Sequence, residues 1–243
     1  MSITNVDSGT NIVEIVKGIY RINTPVPPSQ VPGGFSFNQY LIVDEEPLLF
    51  HTGPRKLFGL VREAVTSVIP VERLRYISFS HMESDECGSL NEWLEAAPDA
   101  VPLCGKIAAM VSISDMTDHP VHTLADGEEI SLGRYRVKWF DTPHLPHSWD
   151  CGFLMEMCTR TFFCEDLFTQ GGNDLPAVTE EDILVPSEEF RHQMDYFSHT
   201  KNARALLEKL ASENPTTLAC MHGSAWKGDG SKLIRALADS LEA

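Results

Sequence analysis

A chain of 243 residues, 42% hydrophobic and 22% charged, has the make-up of a globular protein and can bury a sizeable core without covalent staples. Nineteen Lys and Arg against 35 Asp and Glu give a formal net charge of -16, which speaks against nonspecific binding to nucleic acid or to anionic membranes. No basic start leads into an apolar run, no stretch approaches the roughly 18 apolar residues of a membrane span, and the six cysteines form no CxxC pair. The expectation is one domain over residues 1–243, cytoplasmic, with reduced thiols and no nucleic-acid or membrane partner.

Taken in chain order, residues 11–22 and 38–43 (NIVEIVKGIYRI and NQYLIV) are β-rich and partly alternating, which predicts strands. Residues 23–34 between them are dense in Pro and Gly and predict a long surface loop. The acidic turn at 44–47 predicts a hairpin into LLFHTG, residues 48–53. Leu57, Leu60, Val61, Ala64 and Val65 share one helical face, so a helix is predicted over 55–68. RYISFSH, residues 75–81, reads as a strand, with helices near 88–97 and 105–113. In the second half, strands are predicted at 128–133, 135–142, 151–158, 161–166 and 216–222. One helix is predicted over 187–211 and an amphipathic one over 231–242. Strands followed by helices in each half suggest packed sheets with helices outside.

Three predicted strands end in groups able to bind a metal: His81, Asp166 and His222. Loops at the ends of a rigid sheet are a common place for chemistry. The densest cluster is SHMESDECGS, residues 80–89, with His81, Glu83, Asp85 and Glu86 inside six positions. In an extended segment His81, Glu83 and Asp85 share a face, and a tight loop also turns Glu86 inward. Converging carboxylates repel unless a cation lies between them. The plain alternative is a solvated acidic loop in which Asp85 or Glu86 caps a helix. Residues 141–150 add His144 and His147 between stiffening prolines.

The order H-x-E-x-D, then His, then Asp, then His resembles the metallo-β-lactamase superfamily. Glu83 at the second position resembles the diiron domain of flavodiiron proteins and related oxygen-binding diiron proteins, where the zinc hydrolases carry His. The resemblance spans roughly residues 11–240, and the eighteen-residue gap to Asp166 favours His147 over His144. It implies an α/β (α+β) fold, a four-layer αββα sandwich. It further implies two iron ions ahead of manganese or zinc; the carboxylates give hard oxygen ligation suited to iron or manganese, where zinc sites favour imidazole and thiolate. One ion would take His81, Glu83 and His147, the other Asp85 and His222, with Asp166 bridging.

The chain departs from the family pattern at three points. Glu86 stands where the family has His; as a ligand it would give four carboxylates against four positive charges and lower the reduction potential. His51 replaces an Asp that supports the site in the family; it either does the same by donating a ring N–H to a carboxylate or is a plain buried histidine. No flavodoxin-like domain follows, so no FMN site is expected and electrons would come from an external donor protein. Trp149 and Trp226 are candidates for lining the pocket, whereas Cys164 and Cys220 are read as packing residues. The implied function is to bind or reduce O₂, or NO, as a partner-dependent oxidoreductase or an oxygen sensor. The alternative is a metal-dependent hydrolase of an ester, thioester or phosphoester. A homodimer is allowed by the resemblance alone.

Overall fold

In a computed structural model describing residues 1–242, two sheets pack face to face. The first runs in chain order from β1 to β8: Ser2–Ile3, Asn11–Val16, Ile19–Val26, Phe35–Ile42, Leu48–Phe50, Tyr76–Ser78, Val101–Gly105 and His122–Leu124. It is antiparallel up to β5 and parallel from β5 to β8. The second sheet comprises β9 (Glu129–Ser131), β10 (Arg136–Asp141), β11 (Gly152–Glu156), β12 (Thr161–Glu165), β13 (Val178–Thr179), β14 (Thr217–Cys220) and β15 (Ala225–Lys227). Its spatial order is β13-β15-β14-β12-β11-β10-β9, with β12 and β14 parallel.

Strand alternation divides the core into three layers. Tyr40, Ile42, Leu48, Phe50, Leu154, Phe163 and Ala219 meet between the sheets. Their neighbours Leu41 and Leu49 face outward, where α1 (Phe58–Thr66) and α3 (Leu90–Ala96) cover them with Val61, Val65, Leu90 and Trp93. On the far side Phe162, Cys164, Leu218 and Cys220 lie under α7 (Ala203–Ala211) and α8 (Gly230–Ser240), whose Leu207, Leu210, Ile234 and Leu237 complete that layer. Helix, sheet, sheet, helix is the αββα arrangement expected. Among the described residues no helix is long and apolar enough to cross a membrane.

Two predicted elements differ. Residues 23–26 belong to β3, pairing with β4 through to Val26↔Phe35, so only 27–34 form the Pro/Gly loop. The single helix over 187–211 is two: α6 (Leu184–Met194), then α7. Asp195 ends α6 in the left-handed conformation. The intervening segment buries Phe197 and carries the Tyr196 hydroxyl to the Asp166 carbonyl, 2.8 Å away. A continuous helix would put these adjacent aromatics about 100° apart on one cylinder and could not serve both contacts.

Candidate metal centre

The candidate ligands gather at one end of the sandwich, beyond the C-terminal ends of β6, β12 and β14. β6 and β5 are parallel, as are β12 and β14, so the residues following them emerge on one side. His81 follows β6, Asp166 follows β12 and His222 follows β14. His147 arrives on the loop between β10 and β11. The 81–86 segment is not the extended run expected: residues 80–83 bend, with Glu83 N–H donating to the His81 carbonyl at 3.2 Å, and a short helix, α2 (Ser84–Cys87), then turns Asp85 and Glu86 inward. Thr52 N–H donates to the Glu86 carbonyl at 2.7 Å and Gly53 N–H to that of Asp85 at 3.1 Å, pinning this turn to the end of β5.

The groups fall into two lobes. His81 Nε2 lies 3.2 Å from Glu83 Oε2 and 2.8 Å from His147 Nε2, and His147 Nε2 is 3.1 Å from the same Glu83 oxygen. In the second lobe His222 Nε2 is 3.4 Å from Asp85 Oδ2. Asp166 lies between them, with Oδ2 3.9 Å from His147 and Oδ1 3.1 Å from His222. Glu86 is wholly buried beneath, and its oxygens have no hydrogen-bond partner. It therefore caps no helix. Glu83, Asp85 and Glu86 offer oxygens within 4.8 Å of one another, and His81, His147 and Asp166 offer two ring nitrogens and a carboxylate oxygen equally close together.

This arrangement fits cations. The His222 Nδ1 hydrogen donates to the Ser36 carbonyl, 2.8 Å away, so a neutral ring would aim its Nε2 lone pair at two carboxylates. Such a geometry needs a proton or a metal at Nε2. Protons show the same demand. Burial opposes charge on His222, but Asp166 and Asp85 outweigh it and push the ring up to about 10. Burial and the neighbouring Asp85 raise Glu86. Hydrogen bonds from His147 and His81 hold Glu83 well below the usual carboxylate range.

A cavity of about 190 Å³ opens onto the cluster. Its floor is Glu83, Asp85, His147, Asp166 and His222, and its walls are Phe35, Phe190, Met194 and Tyr196. Phe35 lies 4.3 Å from the His222 ring and stacks on Phe190 at 5.6 Å. No Lys or Arg lines this cavity among the described residues.

Several neighbours fall elsewhere than expected. His144 faces a different cavity, beside Arg191 and Phe197. Trp149 is exposed and borders another depression, and the Trp226 indole donates to the Glu181 carbonyl. Neither lines the site. Cys164 and Cys220 pack in the outer core with their sulfurs 3.7 Å apart. His51 reaches no carboxylate: Nε2 lies 3.1 Å from Ser80 Oγ and Nδ1 2.9 Å from Met221 Sδ. The carboxylate beside His81 is instead Glu165, with Oε2 3.0 Å from Nδ1. Glu165 was not singled out from the sequence, because residues on a strand alternate faces and Asp166 claims the site. A backbone at φ 39° and ψ -118° breaks the strand alternation, so that both acids reach the site, Asp166 at the cavity floor and Glu165 behind His81.

Comparison with known proteins bears on the fold and the family. The chain is 27% identical over 179 residues to rubredoxin-oxygen oxidoreductase of Megalodesulfovibrio gigas, covering 72% of this chain and 43% of the relative. It is also 27% identical over 216 residues to the anaerobic nitric oxide reductase flavorubredoxin of Pectobacterium atrosepticum, covering 83% and 41%. The chain thus spans less than half the length of these relatives. In structure it matches rubredoxin oxygen:oxidoreductase from Desulfovibrio gigas with a TM-score of 0.80 at 20% identity, over 96% of this chain and 62% of the other, which shows the shared fold. The family model described as ODP family beta lactamase matches residues 35–223, most of the chain, and the chain belongs to that family.

Proposed function

We propose that this protein is a nonhaem diiron protein that binds or reduces O₂, or NO, with electrons delivered from outside these 243 residues. The observation that carries the reading is the pairing of a His- and carboxylate-rich floor with a small, aromatic-walled cavity. About 190 Å³ suits a diatomic molecule; pockets for larger ligands run to roughly 300–1,000 Å³. An ester or phosphoester substrate would also require cationic or hydrogen-bonding groups on the walls, where Phe35, Phe190 and Met194 stand. The relatives named above are an oxygen oxidoreductase and a nitric oxide reductase.

In this reading residues 1–243 work as one metallo-β-lactamase-like unit in the cytoplasm. His81, Glu83 and His147 hold one ion, Asp85, Glu86 and His222 the other, and Asp166 spans both. Two irons held there would supply the redox chemistry for a diatomic ligand. Phe35, Phe190 and Tyr196 give the cavity an apolar wall beside the floor, while Glu83 stays half-exposed at its mouth. Ser36 fixes the His222 ring so that Nε2 faces inward. Glu86 adds a fourth carboxylate, matching the charge of two divalent ions and favouring their higher oxidation states.

The test is metal analysis of anaerobically purified protein, with an optical spectrum before and after air. Two irons per chain and a new visible absorption on exposure are expected. Two zincs, or an unchanged spectrum accompanied by ester or phosphodiester hydrolysis, would replace this reading with the hydrolase.

A further inference from the structure

The two nitrogens of His81 face opposite surroundings. Nε2 meets Glu83 and His147 on the cavity side. Nδ1 points into the core, where Ser80 Oγ and Glu165 Oε2 each lie 3.0 Å away. Glu165 is fully buried, and no Lys or Arg pairs with it. Its other oxygen, Oε1, accepts the Cys151 thiol at 2.8 Å. Oε2 has no hydrogen-bond donor aligned on it, so its contact with Nδ1 is one of charge and proximity.

The surrounding polar groups admit one consistent direction. Met221 Sδ can only accept from His51 Nδ1, so in the neutral, buried ring Nε2 carries the lone pair and accepts the Ser80 hydroxyl hydrogen. Ser80 Oγ is then free to accept the Nδ1 hydrogen of His81. Once an ion displaces the hydrogen that Nε2 of His81 directs at Glu83, the Nε2 lone pair faces the cavity. A buried carboxylate against the Nδ1 edge favours that tautomer and raises the basicity of Nε2.

Local backbone geometry supports a specific role for this side chain. Glu165 is not glycine, yet it adopts φ 39° at the end of β12, where the pairing with β14 is irregular. Non-glycine residues adopt such conformations only where the surrounding structure holds them there, and these positions cluster at functional sites. Here the distortion lets two consecutive acids serve one centre from opposite sides. Asp166 faces the cavity floor, and Glu165 stands behind His81.

We propose that Glu165 is a positioning residue for His81: its buried carboxylate, steadied by Cys151, holds the back of the imidazole and strengthens Nε2 as a donor to the ion bound there. The proposal rests on the diiron reading. It predicts that Glu165 governs the affinity and reduction potential of one ion of the pair, without touching either ion.

The experiment is anaerobic ferrous-iron binding by chelator competition, together with redox titration, on wild-type, Glu165→Gln and Glu165→Asp chains. Gln keeps the shape and removes the charge; Asp keeps the charge and withdraws it from Nδ1. Outer-shell partners of ligand histidines typically govern affinity by about 10- to 100-fold. A loss of that size at one of the two ions, with the other unchanged and the midpoint potential raised, is expected for Gln, and a smaller loss of the same sign for Asp. If Gln prevents folding, the Asp variant decides alone. Variants with wild-type affinities and potential would overturn the role of Glu165 while leaving the diiron reading intact. A wild-type chain that binds no iron would overturn both.

Discussion

The Nε2 atoms of His81 and His147 stand 2.8 Å apart, on rings set at 87° to each other. One cation bound by both at about 2.1 Å would hold the nitrogens roughly 3 Å apart, close to where they already lie. His147→Ala should therefore lose one of the two ions, lowering metal content from two per chain toward one. His144→Ala should keep both, since His144 borders a separate cavity. Anaerobic metal analysis of the two variants separates them, and equal loss in both would refute the assignment.

Glu86 offers a second, sharper contrast. Its carboxylate is fully buried with both oxygens unpartnered, a poor arrangement for a purely structural residue. Glu86→Gln should leave the metal-free chain as stable as wild type or more so, by about 1–3 kcal/mol if a buried charge is relieved. The same change should weaken metal loading. Glu86→His should raise the midpoint potential of the pair by removing a negative ligand. Urea unfolding of the metal-free chain, iron titration and redox titration give the three readings. An unchanged potential and metal content in Glu86→His would mean that Glu86 is not a ligand.

How much of this was legible in the chain follows from what each residue's position depends on. His81, Asp166 and His222 each follow an apolar strand, and the local pattern places them at a sheet end. The layers were readable because alternation sends Leu41 and Tyr40 to opposite faces. Tyr196 was misplaced because the periodicity of 187–211 continues across a break set by tertiary burial of Phe197. Glu165 was invisible because its direction depends on one distorted backbone angle; His51 was legible as a candidate but its partners were not, because Ser80 and Met221 come from segments beyond β6 and β14.

His222 sets metal binding against protonation in a testable way. In the metal-free chain burial is outweighed by Asp166 and Asp85, so its ring is raised to about 10 from an ordinary 6.5. The stability from that pairing is complete below pH 6.5 and is lost as pH rises through 10. Iron must displace the same proton, so apparent affinity should rise with pH over 7–9, by up to about tenfold per unit for each proton released. Calorimetry of iron binding at pH 7 in two buffers of different ionisation enthalpy should detect that release. Binding without proton release, with pH-independent affinity, would contradict the ring's charged state.

His51 carries the opposite sign. Burial pushes its ring down to about 3 from 6.5, so between these values the unfolded chain holds a proton that the folded chain does not. Its contribution to stability is therefore full above pH 6.5 and is lost as pH falls toward 3. One such group contributes a slope of about 1.4 kcal/mol per pH unit. His51→Gln keeps a polar side chain beside Ser80 but cannot titrate. Its metal-free unfolding free energy should fall less steeply than that of wild type between pH 6 and pH 4, by about that slope. The variant should lose some stability at pH 7 through disturbed contacts with Ser80 and Met221, so the comparison lies in the gradients. Parallel profiles for the two chains would show that His51 is charged in the folded protein, and would break the hydrogen-bond direction inferred from His51 through Ser80 to His81.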